Sequence, residues 1–480
     1  MNYKLLLKTN GKLMLIEACF MLLPLIVALI YKESSGLAFL PVIALLLVCG
    51  LLLASLKPKR TEFYAREGLA IVSTSWIVLS LAGALPFYIS REIPSLIDCF
   101  FETVSGFTTT GASILSDVEA LSNCMLFWRS FTHWVGGMGI LVFMLAISSF
   151  MGGYTMNIMR AESPGPSVEK SAPKVRSTAK TLYLIYAGLT LLQTILMCAG
   201  GMPVFDSILT AFGTAGTGGF GIKNTSIAYY ESYYIQGVIT VFMIIFGVNF
   251  GIYNLILLGK IRRAFKNEEL YLYFGIVVVS IILITLNIAS SSPSFYDAFH
   301  HSAFQVAAII STTGFSTANF DMWPQFSKTI LVLLMLFGAS AGSTGGGIKI
   351  SRILIMFKFI IKELKGFIHP RSVNTLKVNG HKVEYEVVKN IFLFIICYAG
   401  VLCISVIALS IDGQSFTTNV TAVISALSNI GPGLDAVGPV CNYSIYSTFS
   451  KIILSIDMLF GRLEIIPMMI LFMPDTWRKR

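Results

Sequence analysis

Long apolar segments alternate with short polar connections along almost the whole chain. A membrane-spanning helix needs about 20 consecutive, mostly apolar residues, and ten segments approach or exceed that length. They run over residues 13–30, 37–56, 69–89, 127–150, 182–200, 234–258, 270–289, 330–361, 387–411 and 452–473. The pattern therefore predicts ten membrane-spanning helices, of which the eighth is interrupted.

Four further apolar segments are too short to cross a bilayer. Each has about 12 residues and lies between two predicted spans. They cover residues 96–107, 204–213, 295–310 and 416–427. Apolar helices of this length suit re-entrant segments that enter and leave the membrane on one side, so we expect four half-helices.

Each half-helix is followed by a similar string of small and hydroxyl-bearing residues. The strings read SGFTTTGAS from Ser105, FGTAGTGGF from Phe212, ISTTGFS from Ile310 and ALSNIGPG from Ala426. One glycine marks each string, and the four are Gly111, Gly218, Gly314 and Gly431, at spacings of 107, 96 and 117 residues. This internal repetition predicts that a unit of span, half-helix, strand and span occurs four times.

The repeats define the predicted organisation. The fold class is an all-α polytopic membrane protein, in which four tandem span/pore-helix/span repeats surround a pseudo-fourfold pore and an N-terminal two-helix hairpin precedes them. The hairpin covers residues 1–58, and the repeats cover residues 59–160, 161–266, 267–370 and 371–480. The third repeat contains the interrupted span.

The composition agrees with a protein that lies within a membrane. Of the 480 residues, 55% are apolar and 12% are charged, whereas soluble domains have about 25% charged residues. A soluble enzyme is therefore excluded. A membrane-embedded enzyme would need a convergent catalytic set, and the sequence shows no paired carboxylates, Ser/His pair or metal-ligand cluster.

The formal net charge of +10 reflects membrane topology. Most Lys and Arg residues fall in alternate connections, at residues 4–12, 57–66, 160–180, 260–266, 358–389 and 478–480. By the positive-inside rule these connections are cytoplasmic, so both termini lie in the cytoplasm and the half-helices enter from the outer side. We expect a multi-pass protein of the inner (cytoplasmic) membrane, in contact with lipid and not with nucleic acid.

The glycine-containing strands have a specific physical use. Non-helical backbone at membrane depth is stable only where protein buries it or where it lines a cavity. Four such strands around one axis can turn their carbonyl groups inward and replace the hydration shell of a cation, and Thr or Ser hydroxyls can add oxygen. The predicted filter residues are Thr109, Thr110, Gly111, Gly216, Thr217, Gly218, Thr312, Thr313, Gly314, Asn429, Ile430 and Gly431. For one string alone, helix packing by small residues is the simpler interpretation, but four strings in register favour the filter.

A second candidate site combines the eighth and tenth spans. Residues 338–347 contain five glycines, each of which opposes helix by about 1 kcal/mol, so an unwound loop is expected there, with a small-residue packing face as the alternative. Arg462 lies in the middle of the tenth span among apolar helical neighbours, and it must find acceptors on another segment, which the loop supplies. The predicted gate residues are Gly342, Ser343, Thr344, Gly345, Gly346, Gly347, Lys349 and Arg462.

The strings occur together with three further motifs. These are HWVGGMG from His133, GSTGGGIK from Gly342 and GRLE from Gly461. In combination, over residues of about 60–475, the chain resembles the TrkH/KtrB/HKT superfamily of potassium transporters, and its N-terminal hairpin is similar to the TrkH branch rather than to the shorter KtrB branch. The resemblance implies K⁺ as the transported ion, a homodimer, and gating by a cytosolic ring of nucleotide-binding RCK-domain subunits resembling TrkA.

The resemblance also implies details of selectivity and regulation. Some sodium-transporting plant members have Ser where this chain has Gly111, so potassium is favoured, while Asn429, Ile430 and Pro432 make the fourth string depart from the other three. The resemblance implies that the nucleotide binds the partner, and the lack in this chain of GxGxxG after a strand and of GxxxxGK[ST] agrees with that. The basic connections 160–180 and 358–389, which include Lys362, Lys365 and Arg371, are the expected docking surface.

A proton- or sodium-coupled symporter of potassium or another solute is the alternative function. Broken helices near the membrane midplane also form the substrate sites of such transporters. That architecture predicts inverted repeats, whereas the four repeats of this chain run in the same orientation.

Overall fold

The computed structural model describes residues 1–58, 65–139, 172–370 and 375–478. This part of the chain is almost entirely helical, which confirms the predicted class, and it contains one short antiparallel strand pair, Lys377–Val378 with His381–Lys382. The end of the fourth predicted span, most of the basic connection 160–180 and Arg371 lie outside the described residues.

Long and short helices follow one another in the predicted order. The N-terminal hairpin contains Tyr3–Phe20, Leu22–Tyr31 and Phe39–Ala54. The first two repeats contain Ala65–Ser90, Leu96–Phe107, Asn123–Gly137, Ala172–Ala199, Val204–Gly216, Tyr233–Phe246, Phe250–Leu257 and Ile261–Ala264. The last two contain Glu268–Ile288, Phe295–Ile310, Gln325–Leu336, Ile350–Ile368, Tyr385–Leu409, Phe416–Ser428, Thr448–Arg462, Ile466–Phe472 and Pro474–Trp477.

Six helical segments of the described chain are long and apolar enough to cross a membrane. They are Tyr3–Tyr31, Ser34–Ala54, Glu67–Ser90, Ala179–Ala199, Glu268–Ile288 and Tyr385–Asp412. They correspond to the two hairpin spans and to the first span of each repeat.

The second span of repeat 2 differs from its prediction. The sequence predicts one continuous helix over residues 234–258, but the helices Tyr233–Phe246 and Phe250–Leu257 meet at an angle of 89°. Asn249 begins the second of these helices, and its side chain accepts a hydrogen bond from the Gly251 N–H at 2.7 Å. This cap stabilises a new helix start inside the predicted span.

The second spans of repeats 3 and 4 are also broken. In repeat 3 the predicted interruption is confirmed, because helix stops at Leu336 and resumes at Ile350. In repeat 4 the predicted continuous helix over residues 452–473 is wrong, since Glu464 and Ile465 have positive φ angles of 58° and 61°. Residues other than glycine rarely adopt such φ angles, and a positive φ angle does not fit a right-handed helix.

The four predicted half-helices are confirmed. Half-helices 1 to 4 are Leu96–Phe107, Val204–Gly216, Phe295–Ile310 and Phe416–Ser428. Three of them begin with a serine cap, since the hydroxyls of Ser95, Ser294 and Ser415 each accept a backbone N–H three residues further on. Half-helix 2 begins directly after Pro203, a residue that suits a helix start.

The half-helices pack in a closed cycle. Half-helices 2, 3 and 4 each contact the second span of the preceding repeat, through Asn123–Gly137, Tyr233–Phe246 and Gln325–Leu336 respectively. Half-helix 1 contacts Thr448–Arg462 of repeat 4. Because the last repeat returns to the first, the four repeats surround one axis.

The N-terminal hairpin packs against repeat 1. Two glycines bring its helices together, since a Cβ added to Gly11 would lie 2.9 Å from the Gly50 carbonyl oxygen. Asn10 accepts a hydrogen bond from the Ser75 hydroxyl at 2.7 Å and donates one to the Thr74 hydroxyl at 3.2 Å. Small residues and buried polar contacts of this kind hold helices together within membranes.

Candidate ion pathway

Each half-helix ends in a short strand with the same backbone geometry. In each strand the first and third residues have positive φ angles. The pairs are Thr109 and Gly111, Thr217 and Gly219, Thr312 and Gly314, and Asn429 and Gly431. The N–H of the residue between them donates to the carbonyl five residues earlier, in Thr110 to Ser105, Gly218 to Gly213, Thr313 to Ala308 and Ile430 to Ser425. The four strands are therefore one structural motif, repeated.

This geometry corrects the predicted register of the second strand. Gly219, not Gly218, is equivalent to the marked glycines of the other strands. The strand therefore consists of residues 217–219, and Gly216 is instead the last residue of half-helix 2, packed against the backbone of His133. The sequence left this register open because three glycines occur within four residues.

The four strands form a closed ring of backbone contacts. A Cβ added to the glycine of one strand would meet a carbonyl oxygen of the next strand, at 1.9 Å for Gly111 to Gly218, 1.8 Å for Gly219 to Thr313, 1.9 Å for Gly314 to Ile430 and 2.9 Å for Gly431 to Thr110. Only glycine permits both this approach and the positive φ. The four carbonyl groups occupy equivalent positions in the ring.

The hydroxyl groups near the ring offer fewer oxygen ligands for a cation than the sequence predicts. The Thr108 and Thr110 hydroxyls lie 2.8 Å apart, and the Ser311 and Thr313 hydroxyls lie 2.7 Å apart, so the two hydroxyls of each pair are hydrogen-bonded to each other. Within the described residues, no group of three or more His, Cys, Asp or Glu side chains comes together as a metal-binding cluster. The oxygen atoms that the ring offers are therefore chiefly backbone carbonyls.

The fourth strand departs from the others in structure as well as in sequence. The Asn429 side chain donates to the Thr110 hydroxyl at 2.8 Å and to the Met458 carbonyl at 3.0 Å, which joins the fourth strand to the first. The Gly431 carbonyl accepts hydrogen bonds from the hydroxyls of Ser425 at 2.8 Å and Tyr443 at 2.7 Å. With both bonds made, this carbonyl is engaged by protein, and the ring is not fourfold symmetric.

The glycine-rich loop of residues 337–349 lies directly against the ring. Its two ends pair, with the Gly338 N–H donating to the Ile348 carbonyl at 2.9 Å. The Gly346 N–H donates to the Thr312 hydroxyl at 2.7 Å, and a Cβ added to Gly346 would lie 2.4 Å from the Ser428 carbonyl oxygen. The loop therefore lies against the end of half-helix 4 and the start of the third strand.

Arg462 contacts this loop. Its guanidinium donates to the Thr344 carbonyl at 2.8 Å, which confirms the predicted contact between the tenth span and the loop. It also donates to the carbonyl groups of Gly136 and Gly137, the latter at 3.0 Å. These two acceptors in repeat 1 were not predicted, although the HWVGGMG motif contains them.

Two further buried groups hold the loop. The Lys349 ammonium donates to the carbonyl groups of Gly345 and Gly346, so this predicted residue closes the loop on itself. The carboxylate of Glu269, which sequence reasoning missed, accepts the N–H groups of Ala341 at 2.7 Å and Ser351 at 3.1 Å. An acid at the polar end of an apolar helix gives little signal in the sequence.

Repeat 2 supports the loop through its broken span. The Ser340 N–H donates to the Gly247 carbonyl at 3.0 Å, and the Phe250 N–H donates to the Gly342 carbonyl at 3.0 Å. The break frees the backbone groups that make these bonds. The loop thus contacts repeats 2, 3 and 4 directly, and Arg462 connects it to the repeat 1 glycines.

The cyclic packing, the ring of carbonyl groups and the loop that contacts it define a class of protein, a polytopic α-helical membrane protein built from four repeats of span, half-helix, strand and span. The sequence matches the profile of the TrkH family, described as a cation transport protein, over residues 37–479. The chain belongs to the TrkH family.

Individual relatives match along the whole chain. The Trk system potassium uptake proteins TrkH of Salmonella typhimurium and of Escherichia coli are each 35% identical over 489 residues, with 100% of both chains covered. The Escherichia coli protein TrkG is 30% identical over 475 residues, with 98% of this chain and 97% of TrkG covered. The crystal structure of the potassium transporter TrkH from Vibrio parahaemolyticus superposes with a TM-score of 0.90 at 34% identity, covering 100% of each chain.

Proposed function

We propose that this chain mediates K⁺ uptake across the cytoplasmic membrane and that the ion passes through the ring of strands. One observation carries the proposal: the carbonyl groups of Thr110, Gly218, Thr313 and Ile430 close a cycle against glycines that admit no side chain. Such carbonyl groups replace the water around a monovalent cation. The relatives that match along the full length are named potassium uptake proteins, which supports K⁺ as the ion.

The half-helices support the same proposal electrostatically. Each ends at the ring in a buried residue, and these are Phe107, Gly216, Ile310 and Ser428. The C-terminal end of a helix carries partial negative charge, equivalent to about half an elementary charge. Four such ends directed at one site favour a cation there.

The loop and Arg462 form the proposed gate. The loop lies against the ring, and the guanidinium joins Thr344 of the loop to Gly136 and Gly137 of repeat 1. A cation in this position repels K⁺ and also holds the loop closed. Opening then requires that these hydrogen bonds break and that the loop moves aside.

Regulation is proposed to come from a cytosolic RCK-type subunit acting on a homodimer. The helix Ile350–Ile368 follows the loop directly and carries Lys358, Lys362 and Lys365 at exposed or partly exposed positions. A cytosolic subunit that binds this helix can therefore pull on the loop. In this proposal both termini and this helix lie on the cytoplasmic side, and the partner subunit binds the nucleotide.

Ion flux into proteoliposomes that contain the purified chain tests the function. We expect uptake of K⁺ and Rb⁺ to exceed that of Na⁺ and Li⁺, and to continue when no proton or sodium gradient is imposed. Equal uptake of all four ions would overturn the filter. Uptake that requires an imposed gradient would favour the symporter.

A further inference from the structure

A buried ion pair lies beside the ring and belongs to neither the filter nor the gate described above. Glu102 of half-helix 1 and Arg129 of Asn123–Gly137 are joined by an Nε–Oε1 distance of 2.6 Å, and their side chains are 0% and 2% exposed. Burying two charges is costly unless further hydrogen bonds satisfy both groups. The remaining partners of the pair therefore indicate its role.

Glu102 holds the outer end of the first strand. Its Oε1 atom accepts a hydrogen bond from the Ser113 hydroxyl at 2.9 Å, and its Oε2 atom accepts one from the Ile114 N–H at 3.0 Å. Ser113 lies two residues beyond Gly111. The carboxylate thus fixes the chain where it leaves the ring.

Arg129 holds the second strand at the equivalent position. Its guanidinium donates to the Gly221 carbonyl at 2.8 Å, and Gly221 lies two residues beyond Gly219. The guanidinium carbon also lies 3.5 Å from the centroid of the Phe220 ring. One ion pair therefore ties two neighbouring strands together at the same height.

The third and fourth strands are secured in other ways. At the equivalent positions, the Ser316 carbonyl accepts the Ala228 N–H at 3.1 Å, and the Gly433 N–H donates to the Val437 carbonyl at 2.7 Å. Glu102 lies seven residues before Thr109, the first residue with positive φ in its strand. In the other three repeats the residues at this position are Thr210, Gln305 and Ala422. The acid thus occurs in one repeat of the four.

We propose that Glu102 and Arg129 are positioning residues for ion selectivity. By fixing the outer ends of strands 1 and 2, the pair sets the separation of the Thr110 and Gly218 carbonyl groups. A ring whose strands move freely can close around a smaller ion, so a fixed separation favours K⁺ over Na⁺. This inference rests on the proposed function, since it concerns the same ring.

Two substitutions test the pair. In Glu102→Gln an amide NH₂ replaces one acceptor oxygen, so at least one bond to Ser113, Ile114 or Arg129 is lost. In Arg129→Lys the charge remains, but one ammonium lacks the planar fork that reaches Glu102 and Gly221 together. We expect the ratio of K⁺ to Na⁺ uptake to fall about tenfold in each variant while uptake itself continues.

Asp98→Asn is the matched control. Asp98 is also in half-helix 1 and forms an ion pair of 2.7 Å, but with Lys451, and no strand residue is among its side-chain partners in the described chain. The ratio of K⁺ to Na⁺ uptake should be unchanged in Asp98→Asn. As a readout independent of flux, the wild type in detergent should be stabilised against heat more by K⁺ than by Na⁺, and Glu102→Gln and Arg129→Lys should lose that difference.

Each other outcome is decisive. Folded Glu102→Gln and Arg129→Lys proteins with the wild-type ratio would overturn the inference, as would an equal loss in Asp98→Asn. If neither variant yields a folded, monodisperse protein, the pair is required for folding and the positioning role is wrong. If the wild type itself does not discriminate K⁺ from Na⁺, the proposed function fails and not this inference alone.

Discussion

Gly111, Gly219 and Gly314 combine two properties that no other residue type offers together. Their φ angles are 78°, 70° and 81°, and a Cβ at each would lie less than 2 Å from a carbonyl oxygen of the neighbouring strand. A side chain at these positions strains the backbone by about 1–3 kcal/mol and also displaces a carbonyl group of the ring. The arrangement of the carbonyl groups in the ring thus depends on the absence of a side chain at these positions.

Serine substitution at Gly111, Gly219 or Gly314 should lower the ratio of K⁺ to Na⁺ uptake about tenfold, which corresponds to ~1.4 kcal/mol. The displaced carbonyl no longer holds the distance that suits K⁺. Gly237→Ser in a second span is the control, since no atom lies within 4 Å of a Cβ there. Unchanged discrimination in all three folded variants, measured in proteoliposomes, would remove these glycines from the filter.

At the scale of the element, the sequence predicts some features well and others poorly. The starts of the half-helices were predicted to the residue and their ends to within three residues, because short apolar stretches are followed by glycine-containing strings. The breaks in the second spans of repeats 2 and 4 were not predicted, because no run of glycines marks them. They are stabilised by distant contacts, such as the Phe250 N–H to Gly342 and the ion pair of Glu464 with Arg352.

The register of the second strand shows the same limit. A string with Gly216, Gly218 and Gly219 fits two alignments equally well. The backbone angles of Thr217 and Gly219, and the closure against Thr313 of the next repeat, decide between them. Information that resides in contacts between repeats is absent from any one string.

Arg462→Ala, or deletion within residues 342–346, should raise flux in the absence of the regulatory subunit several-fold. Arg462→Ala removes the hydrogen bonds of the guanidinium to Thr344 and to the repeat 1 carbonyls, and a deletion that includes Thr344 removes its acceptor on the loop. Arg462→Lys separates charge from geometry, because one ammonium keeps the repulsion but cannot reach Thr344 and the repeat 1 carbonyls together. A folded Arg462→Ala protein whose basal flux and dependence on the partner are unchanged would show that the arginine is not part of the gate.

At the scale of the whole molecule, the four repeats form one closed assembly. Each half-helix packs on the preceding repeat, the glycines close a cycle of carbonyl contacts, and one loop contacts repeats 2, 3 and 4 directly and repeat 1 through Arg462. The repeat pattern predicted this plan from the sequence, because non-helical backbone at membrane depth must be enclosed by protein. The asymmetric parts, namely the loop, Asn429 and the Glu102–Arg129 pair, depend on single residues in single repeats.

The most direct test of the ring is anomalous diffraction from crystals of this chain grown in Rb⁺. We expect a peak on the axis, within coordination distance of the carbonyl oxygens of Thr110, Gly218, Thr313 and Ile430, that is weakened when Na⁺ replaces Rb⁺. No peak within the ring, or an ordered Rb⁺ site along another route through the bundle, would contradict it.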